Sequence, residues 1–579
     1  MTAGTTAPPG AALSAMLEAR SVALVGASAR PGSLGARMID QMARSPSRPR
    51  TYLVNPRYRD IGGTPCLPSL AEVPEPVDLA LLAVPDAALE DQLGLAARTK
   101  VRSAVIFSNA FDADGATGLR GRLAAIATDA GMALCGAGCM GFVNVARGLR
   151  AVGYVEPDPV PAGPVALITH SGSVFSTMLR AQRGFGFSLV VSSGQELVTT
   201  AAAYARYALR LDETKVLALV LEAIRDPDEL RAALQTALTT DVPVVLLSVG
   251  LSQAGRHLVS AHSGALAAGD GAWEALAGAY GLHRVRDLAE LADTLELFAV
   301  GHHGAGRRCH RTTGIATVHD SGLERAHVAD LAAELGVPFA PISPATTHRL
   351  ARAIDPGLQP GNPLDVWATG RDTEPLFAEC LAALAADPQV AAVALAVDLV
   401  REFDGDEAYP RAVLAAAART AKPVAVLAGL PAGVDPVAAA EVRAAGVPVR
   451  EGTRSGLLAL RHLLDHAIRP EPPRAAVAGP GRSRWAPVLS AGPSDSAVLF
   501  DLLRDYGIRA VRARAVSTRA AALAAAAEIG YPVVVKTGQP HVAHKSDVGG
   551  VRLGLAGPDA AGAAYDDLAA RLGPRVLVC

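Results

Sequence analysis

Short apolar runs that stop at small, glycine-rich turns and restart as helices recur along most of this chain. Ser21-Val-Ala-Leu-Val25 leads into Gly26-Ala-Ser-Ala-Arg-Pro-Gly-Ser33, and Pro164-Val-Ala-Leu-Ile168 leads into Thr169-His-Ser-Gly-Ser173. Further apolar runs lie at 51–54, 79–84, 103–107, 216–221, 243–250, 314–319, 390–397 and 423–428. Strands so uniformly apolar are buried on both faces, as in parallel sheets, and parallel neighbours need a crossover that the helices supply. The chain is therefore expected to be α/β and to begin with a Rossmann-like unit. Its 579 residues exceed what one core holds, since single cores stop growing at about 250–300 residues. The pattern divides into units at 14–150, 160–302 and 308–468. Prolines at 470, 472, 473, 480, 487 and 493 mark 469–494 as a linker to a last unit at 495–579.

In such sheets the C-terminal ends of the strands line the ligand crevice. Gly26, Ala27, Ser28, Pro31, Gly32 and Ser33 form a small loop at a helix start, where backbone amides can meet a phosphate. The glycine spacing is not G-x-G-x-x-G, and no lysine makes a Walker loop. The next strand ends in Asn55-Pro56-Arg57, without the carboxylate that a nicotinamide ribose calls for, which disfavours an NAD enzyme. Ser171, Gly172 and Ser173 offer a second turn of this kind. Glu222 ends the 216–221 strand and is expected to point into the crevice. His262, in Ser260-Ala-His-Ser-Gly264, is expected in a loop just ahead of a helix start. A neutral imidazole there can accept a phosphoryl group, and a hydrogen bond from its ring N–H to the Glu222 carboxylate would orient it.

Near the end, Lys536 on the strand 531–537 needs a partner, either a nucleotide phosphate or a structural carboxylate. His544 and Lys545 lie in His541-Val-Ala-His-Lys-Ser-Asp-Val-Gly-Gly550, a loop denser in polar groups than packing alone requires. The chain stops at Val576-Leu-Val-Cys579, which reads as a strand left on an open apolar edge. The turns His319-Asp-Ser-Gly322 and Gly361-Asn-Pro-Leu-Asp365 receive no chemistry from the sequence.

A net charge of −2 gives no global field for nucleic acid or an anionic membrane. No apolar run reaches the roughly 18 residues of a membrane span, and the N-terminus lacks a signal-peptide pattern. The six scattered cysteines have no paired metal spacing; they read as free, buried thiols of a cytoplasmic protein.

Several motifs resemble the NDP-forming acyl-CoA synthetases, the ADP-forming acetate–CoA ligase type related to succinyl-CoA synthetase. Val25-Gly-Ala-Ser28, Pro31-Gly-Ser33 and Val54-Asn-Pro-Arg57 resemble the family's CoA-binding loops. Ser260-Ala-His-Ser-Gly264 resembles its phosphohistidine loop, and Leu221-Glu222-x-Ile-Arg225 the segment whose glutamate supports that histidine. Tyr531-Pro-Val-Val-Val-Lys536 and His544-Lys-Ser-Asp-Val-Gly-Gly550 resemble an ATP-grasp entry. The resemblance implies a CoA-binding domain, two flavodoxin-like ligase domains (160–302 and 308–468) and the first part of an ATP-grasp domain. It implies the reaction acid + CoA + ATP ⇌ acyl-CoA + ADP + phosphate through acyl phosphate and phosphohistidine. His262 would carry the phosphoryl group, Glu222 support it and His544 relay it. Ser171, Gly172 and Ser173 would hold phosphate, while Lys536 and Lys545 would hold nucleotide. Mg2+ is expected, with ligands in the part of the ATP-grasp domain that follows in family members. A second chain completing that domain, or a homo-oligomer, is the expected assembly.

Three departures stand out. Gly136-Ala-Gly-Cys139 replaces Gly-Pro-Asn-Cys and loses an amide side chain near the acyl or CoA site; Thr169-His-Ser-Gly172 replaces Ser-Gln-Ser-Gly. Ser193-Gly-Gln-Glu196 replaces a Gly-Asn turn. With Gly361-Asn-Pro-Leu-Asp-Val-Trp367, these sit nearer to feruloyl-CoA synthetase-like members, which implies an aromatic acid. The competing expectation is a CoA-binding or regulatory protein on the same scaffold that does not turn over.

Overall fold

The computed structural model describes residues 10–111, 118–263, 269–300, 314–367, 372–468, 470, 471, 473, 481–490, 496–539, 542 and 544–579. The chain forms two compact units, 1–473 and 474–579. Among the described residues the first contains three sheets and the second contains one.

In the first sheet the spatial order is Asp60–Ile61, Thr64–Leu67, Arg50–Val54, Ser21–Val25, Leu79–Leu82, Ser103–Ile106 and Ala133–Cys135. The five strands from Arg50–Val54 to Ala133–Cys135 run parallel. Every residue of Ser21–Val25, Leu79–Leu82 and Ser103–Ile106 is buried, as expected of parallel strands covered by helices on both faces.

The second sheet orders His283–Val285, Val244–Ser248, Val216–Leu221, Ala162–Thr169, Phe187–Ser192, Gly141–Asn144 and Leu149–Val152. Its last two strands are antiparallel additions. Gly141–Asn144 follows directly on the first sheet's last strand, so the two sheets are stitched together by sequence and by hydrogen bonds. The third sheet orders Leu364–Asp365, Gly314–His319, Val390–Ala396, Val424–Ala428 and Val449–Glu451, all parallel.

The second unit is an antiparallel sheet of Arg514–Val516, Val576–Val578, Val533–Thr537 and Val551–Leu555. Helices Arg519–Ile529 and Pro558–Leu572 share its apolar cluster. The expectation for the C-terminal strand is overturned here. Val576–Val578 lies between two partners and is fully buried, because both neighbours precede it in the chain and leave it the central slot. The reading of 469–494 as plain linker also fails in part. Arg482–Ser490 is a helix despite Pro487, and Trp485 anchors it, 4% exposed, with its indole N–H donating to Asp505 at 2.8 Å. Among the described residues no helix is long and apolar enough to cross a membrane.

Candidate active site

Each parallel sheet has a switch point where consecutive crossovers leave to opposite sides and open a crevice. In the first sheet it lies between Ser21–Val25 and Leu79–Leu82. The loop after Ser21–Val25 is held tightly. A Cβ on Gly26 would run into the Ala83 carbonyl oxygen, and one on Gly35 into the Gly26 carbonyl oxygen. Gly26 has φ +89°, a conformation open to glycine at little cost. Ser33 caps the helix Leu34–Ala43, its Oγ accepting the Ala36 N–H at 3.2 Å. The Asn55 amide donates to the Ala27 carbonyl at 2.7 Å, and its Oδ1 accepts the Arg57 N–H at 3.0 Å. Gly26–Ser33 and Asn55–Arg57 are therefore one constellation, with Pro31 and Gly32 at its outer lip.

The second sheet's switch point lies between Ala162–Thr169 and Val216–Leu221, whose crossovers lead to Phe187–Ser192 on one side and Val244–Ser248 on the other. His170 and Glu222 end those two strands. The Glu222 backbone N–H donates to His170 Nδ1 at 3.2 Å. A backbone amide only donates, so Nδ1 accepts and the ring proton sits on Nε2. That N–H donates to Glu196 Oε1 at 2.8 Å. The same oxygen accepts the Ser193 hydroxyl at 3.0 Å and the Ala201 N–H at 2.7 Å. Beside this dyad Ser171 caps the helix Gly172–Arg180, accepting the Val174 N–H at 3.2 Å. Gly172 opens that helix against Met140, and Ser173 is exposed.

The expectation that His262 sits in a loop before a helix start is corrected. The backbone from Gln253 to Ser263 is helical, and the next described helix begins at Asp270. The Ser252 hydroxyl accepts the Gly255 N–H at 3.0 Å and starts the helix. The segment's polarity reflects an exposed helix face. The His262 side chain and residues 264–268 lie outside the described residues, as does any bond from it to Glu222. Sequence reasoning missed the His170–Glu196 pair. Its only trace was that two departures from the resemblance, at His170 and at 193–196, end neighbouring strands.

In the second unit Lys536 stands on Val533–Thr537 with its ammonium 5.9 Å from the Phe500 ring centroid. Burial raises the Cys579 thiol pKa, and Lys536 opposes that rise. Among the described residues no carboxylate pairs with this lysine. His544 is exposed, its carbonyl accepting the Asp547 N–H at 3.2 Å, and the Lys545 carbonyl accepts the Gly550 N–H at 2.7 Å. Among the described residues no group of three or more His, Cys, Asp or Glu side chains is arranged to hold a metal. Cys66, Cys135, Cys139 and Cys380 are buried free thiols; Cys309 lies outside the described residues.

Three family descriptions match in sequence order. A CoA binding domain covers 20–145, a succinyl-CoA ligase-like flavodoxin domain covers 162–298 and an ATP-grasp domain covers 495–576. A trans-feruloyl-CoA synthase from an unknown prokaryotic organism is 29% identical over 556 residues, 93% of this chain and 76% of that protein. An ADP-forming acetate–CoA ligase of Archaeoglobus fulgidus is 29% identical over 92% of this chain and 76% of its own length. The dinucleotide-forming acetyl-coenzyme A synthetase 1 of Ca. Korarchaeum cryptofilum, solved with phosphate and ADP, shares the fold at TM-score 0.69 and 19% identity. That match covers 79% of this chain and 97% of the other. With all three domains in order and similarity to ADP-forming CoA ligases along nearly its whole length, this chain is similar to the NDP-forming acyl-CoA synthetases.

Proposed function

We propose that the protein joins a carboxylic acid to CoA, cleaving ATP to ADP and phosphate, with His262 as the phosphoryl carrier. The observation that carries this reading is the second switch point. The Glu222 strand end is fixed to His170 at 3.2 Å beside a serine-capped helix N-terminus, whose partial positive charge suits a phosphate. His262 would take the γ-phosphoryl of ATP, releasing ADP. The acid's carboxylate oxygen would then attack phosphorus as the N–P bond breaks, giving an acyl phosphate. The CoA thiolate would attack its carbonyl carbon, the C–O bond would break, and phosphate would leave. The Gly26–Ser33 and Asn55–Arg57 constellation is the proposed CoA phosphate site, and Lys536 and Lys545 the proposed nucleotide contacts.

Similarity to feruloyl-CoA and acetate–CoA enzymes leaves aromatic and small acids as the substrate classes to compare. Two relatives are alpha subunits of Pyrococcus furiosus acetate–CoA ligases, which supports assembly with a second chain or with further copies. The test is phosphate transfer from radiolabelled ATP, with His262→Ala and His544→Ala alongside. Acid-labile, base-stable label that disappears in His262→Ala is expected. A chain that binds CoA yet takes no label from ATP, acyl phosphate, or acyl-CoA plus phosphate would be a binding protein instead.

A further inference from the structure

Between the CoA loop and the second switch point, three backbone-tied segments leave polar side chains without partners. The Gly138 N–H donates to the Ser108 carbonyl at 2.7 Å, and the Gln195 N–H donates to the Ala137 carbonyl at 2.9 Å. Ser108 Oγ and Gln195 Oε1 are both fully shielded from solvent, and neither has a hydrogen-bond partner among the described residues. Gln195 as a whole is 8% exposed. Folded proteins keep few such orphans, because an unpaired buried polar atom is costly. Two in one small cluster call for a ligand.

Gly138 explains how the cluster is open. A Cβ there would come within 2.7 Å of Asn109 Oδ1 and 3.5 Å of Gln195 Nε2. A side chain at 138 would press on the amide ends of Asn109 and Gln195 and make them shift. Asn109 and Gln195 bring two side-chain amides to the 136–139 loop from the facing strand ends.

The placement points to the acyl group. The cluster sits at the C-terminal ends of Ser103–Ile106 and Phe187–Ser192. Gly153 lies against both Leu34, the first residue of the helix after the CoA loop, and Phe107, next to Ser108. On the other side Gln195 precedes Glu196, the partner of His170. The nearby Arg120 guanidinium is turned to the Asn109 backbone carbonyl at 3.2 Å. A neutral group that both donates and accepts satisfies these atoms; a second carboxylate does not.

We propose that Gln195 and Ser108 are specificity-determining residues that select acids carrying a hydroxyl on the acyl chain. The hydroxyl donates to the Gln195 carbonyl oxygen and accepts from the Ser108 hydroxyl. This rests on the acid–CoA ligase reading above.

The test compares 4-hydroxybutyrate with butyrate and 4-hydroxycinnamate with cinnamate as substrates of the full chain, Gln195→Met and Ser108→Ala. In wild type the hydroxylated member of at least one pair is expected to have the higher kcat/KM. Either substitution should lower that value about five- to a hundred-fold and leave the unhydroxylated partner within about twofold. Equal losses for both members, as a packing role or a contact to CoA would give, overturn the proposal. So does a wild type without preference in either pair. The same comparison is made by equilibrium binding of the acids to the CoA-loaded chain, which needs no turnover. Failure of CoA binding and of phosphohistidine labelling would sink the ligase reading itself; a lost hydroxyl preference with both intact would sink only this subsite.

Discussion

One oxygen of Glu196 accepts from an imidazole N–H, a hydroxyl and a backbone N–H, at 2.7 to 3.0 Å, and its side chain is nearly buried. Glu196→Leu would leave all three donors unpaired. It is expected to destabilise the first unit by about 3–5 kcal/mol, the range for breaking a buried charged network. Glu196→Gln keeps an acceptor oxygen and should lose about 1–2 kcal/mol. Urea midpoints separate the two; equal midpoints would mean that the carboxylate carries no such load. This residue shows where sequence reading stopped. Asn55 was legible as a crevice residue because it ends a strand. The His170–Glu196 pair was not, because it depends on Glu196 taking a left-handed backbone, φ +53°, which turns its side chain back under the neighbouring strand. His262 was misplaced for another reason: a solvated helix face and a loop carry the same polar residues.

Among the elements, two glycines at helix starts look alike in sequence and differ in what surrounds them. At Gly35 a Cβ meets backbone, the Gly26 carbonyl oxygen and, at 3.0 Å, the Ser28 N. At Gly172 it meets the Met140 side chain, Cγ at 2.8 Å and Sδ at 3.2 Å. Backbone cannot yield without moving the loop, whereas methionine has three rotatable bonds to spare. Gly35→Ala is therefore expected to weaken CoA binding by about tenfold or more, matching about 1–3 kcal/mol of overpacking. Gly172→Ala should change it by less than about threefold. Calorimetric titration of CoA into both variants checks this, and matching affinities would refute the argument. The close approach of Gly26 and Gly35 is the role glycines take in a Rossmann turn, reached with eight residues between them, so a fixed-spacing motif misses it. Parallel strands were legible because burial on both faces leaves unbroken apolar runs. The place of Val576–Val578 was not, since no local pattern tells a strand at the end of a segment which gap it will fill.

The first unit depends on how its second and third sheets are joined. Glu296, fully buried on the helix Leu288–Ala299, accepts from Arg183 at 2.7 Å, Arg443 at 2.9 Å and the Val449 N–H at 2.8 Å. Arg450 adds an ion pair at 3.2 Å. Burial alone would raise the Glu296 pKa, but Arg450, Arg183 and Arg443 outweigh it and hold the carboxyl at about 2. Its contribution is thus kept until pH falls below the ordinary carboxylate range.

The histidines at the same junction behave differently. His462 Nδ1 lies 3.2 Å from Thr294 Oγ1, and its ring centroid is 5.1 Å from that of His283. His283 in turn meets His466 at 3.2 Å, and His466 meets Asp241 at 3.1 Å. Burial, reinforced by Arg461, depresses His462 to about 4 from 6.5. The unfolded chain binds this proton as pH falls through 6.5, while the folded chain refuses it until about 4. The stability from keeping His462 neutral is whole above 6.5 and drains away between 6.5 and 4, by about 2 kcal/mol at about pH 5. Glu296 is silent through most of that window. Mild acid should therefore loosen the junction through its histidines while the arginine–glutamate brace stays charged. His462→Gln, neutral at every pH, is expected to lower stability at neutral pH through lost packing yet flatten its fall toward pH 5. Thermal unfolding of both proteins across that range measures the slope; parallel curves would place the acid sensitivity elsewhere in the molecule.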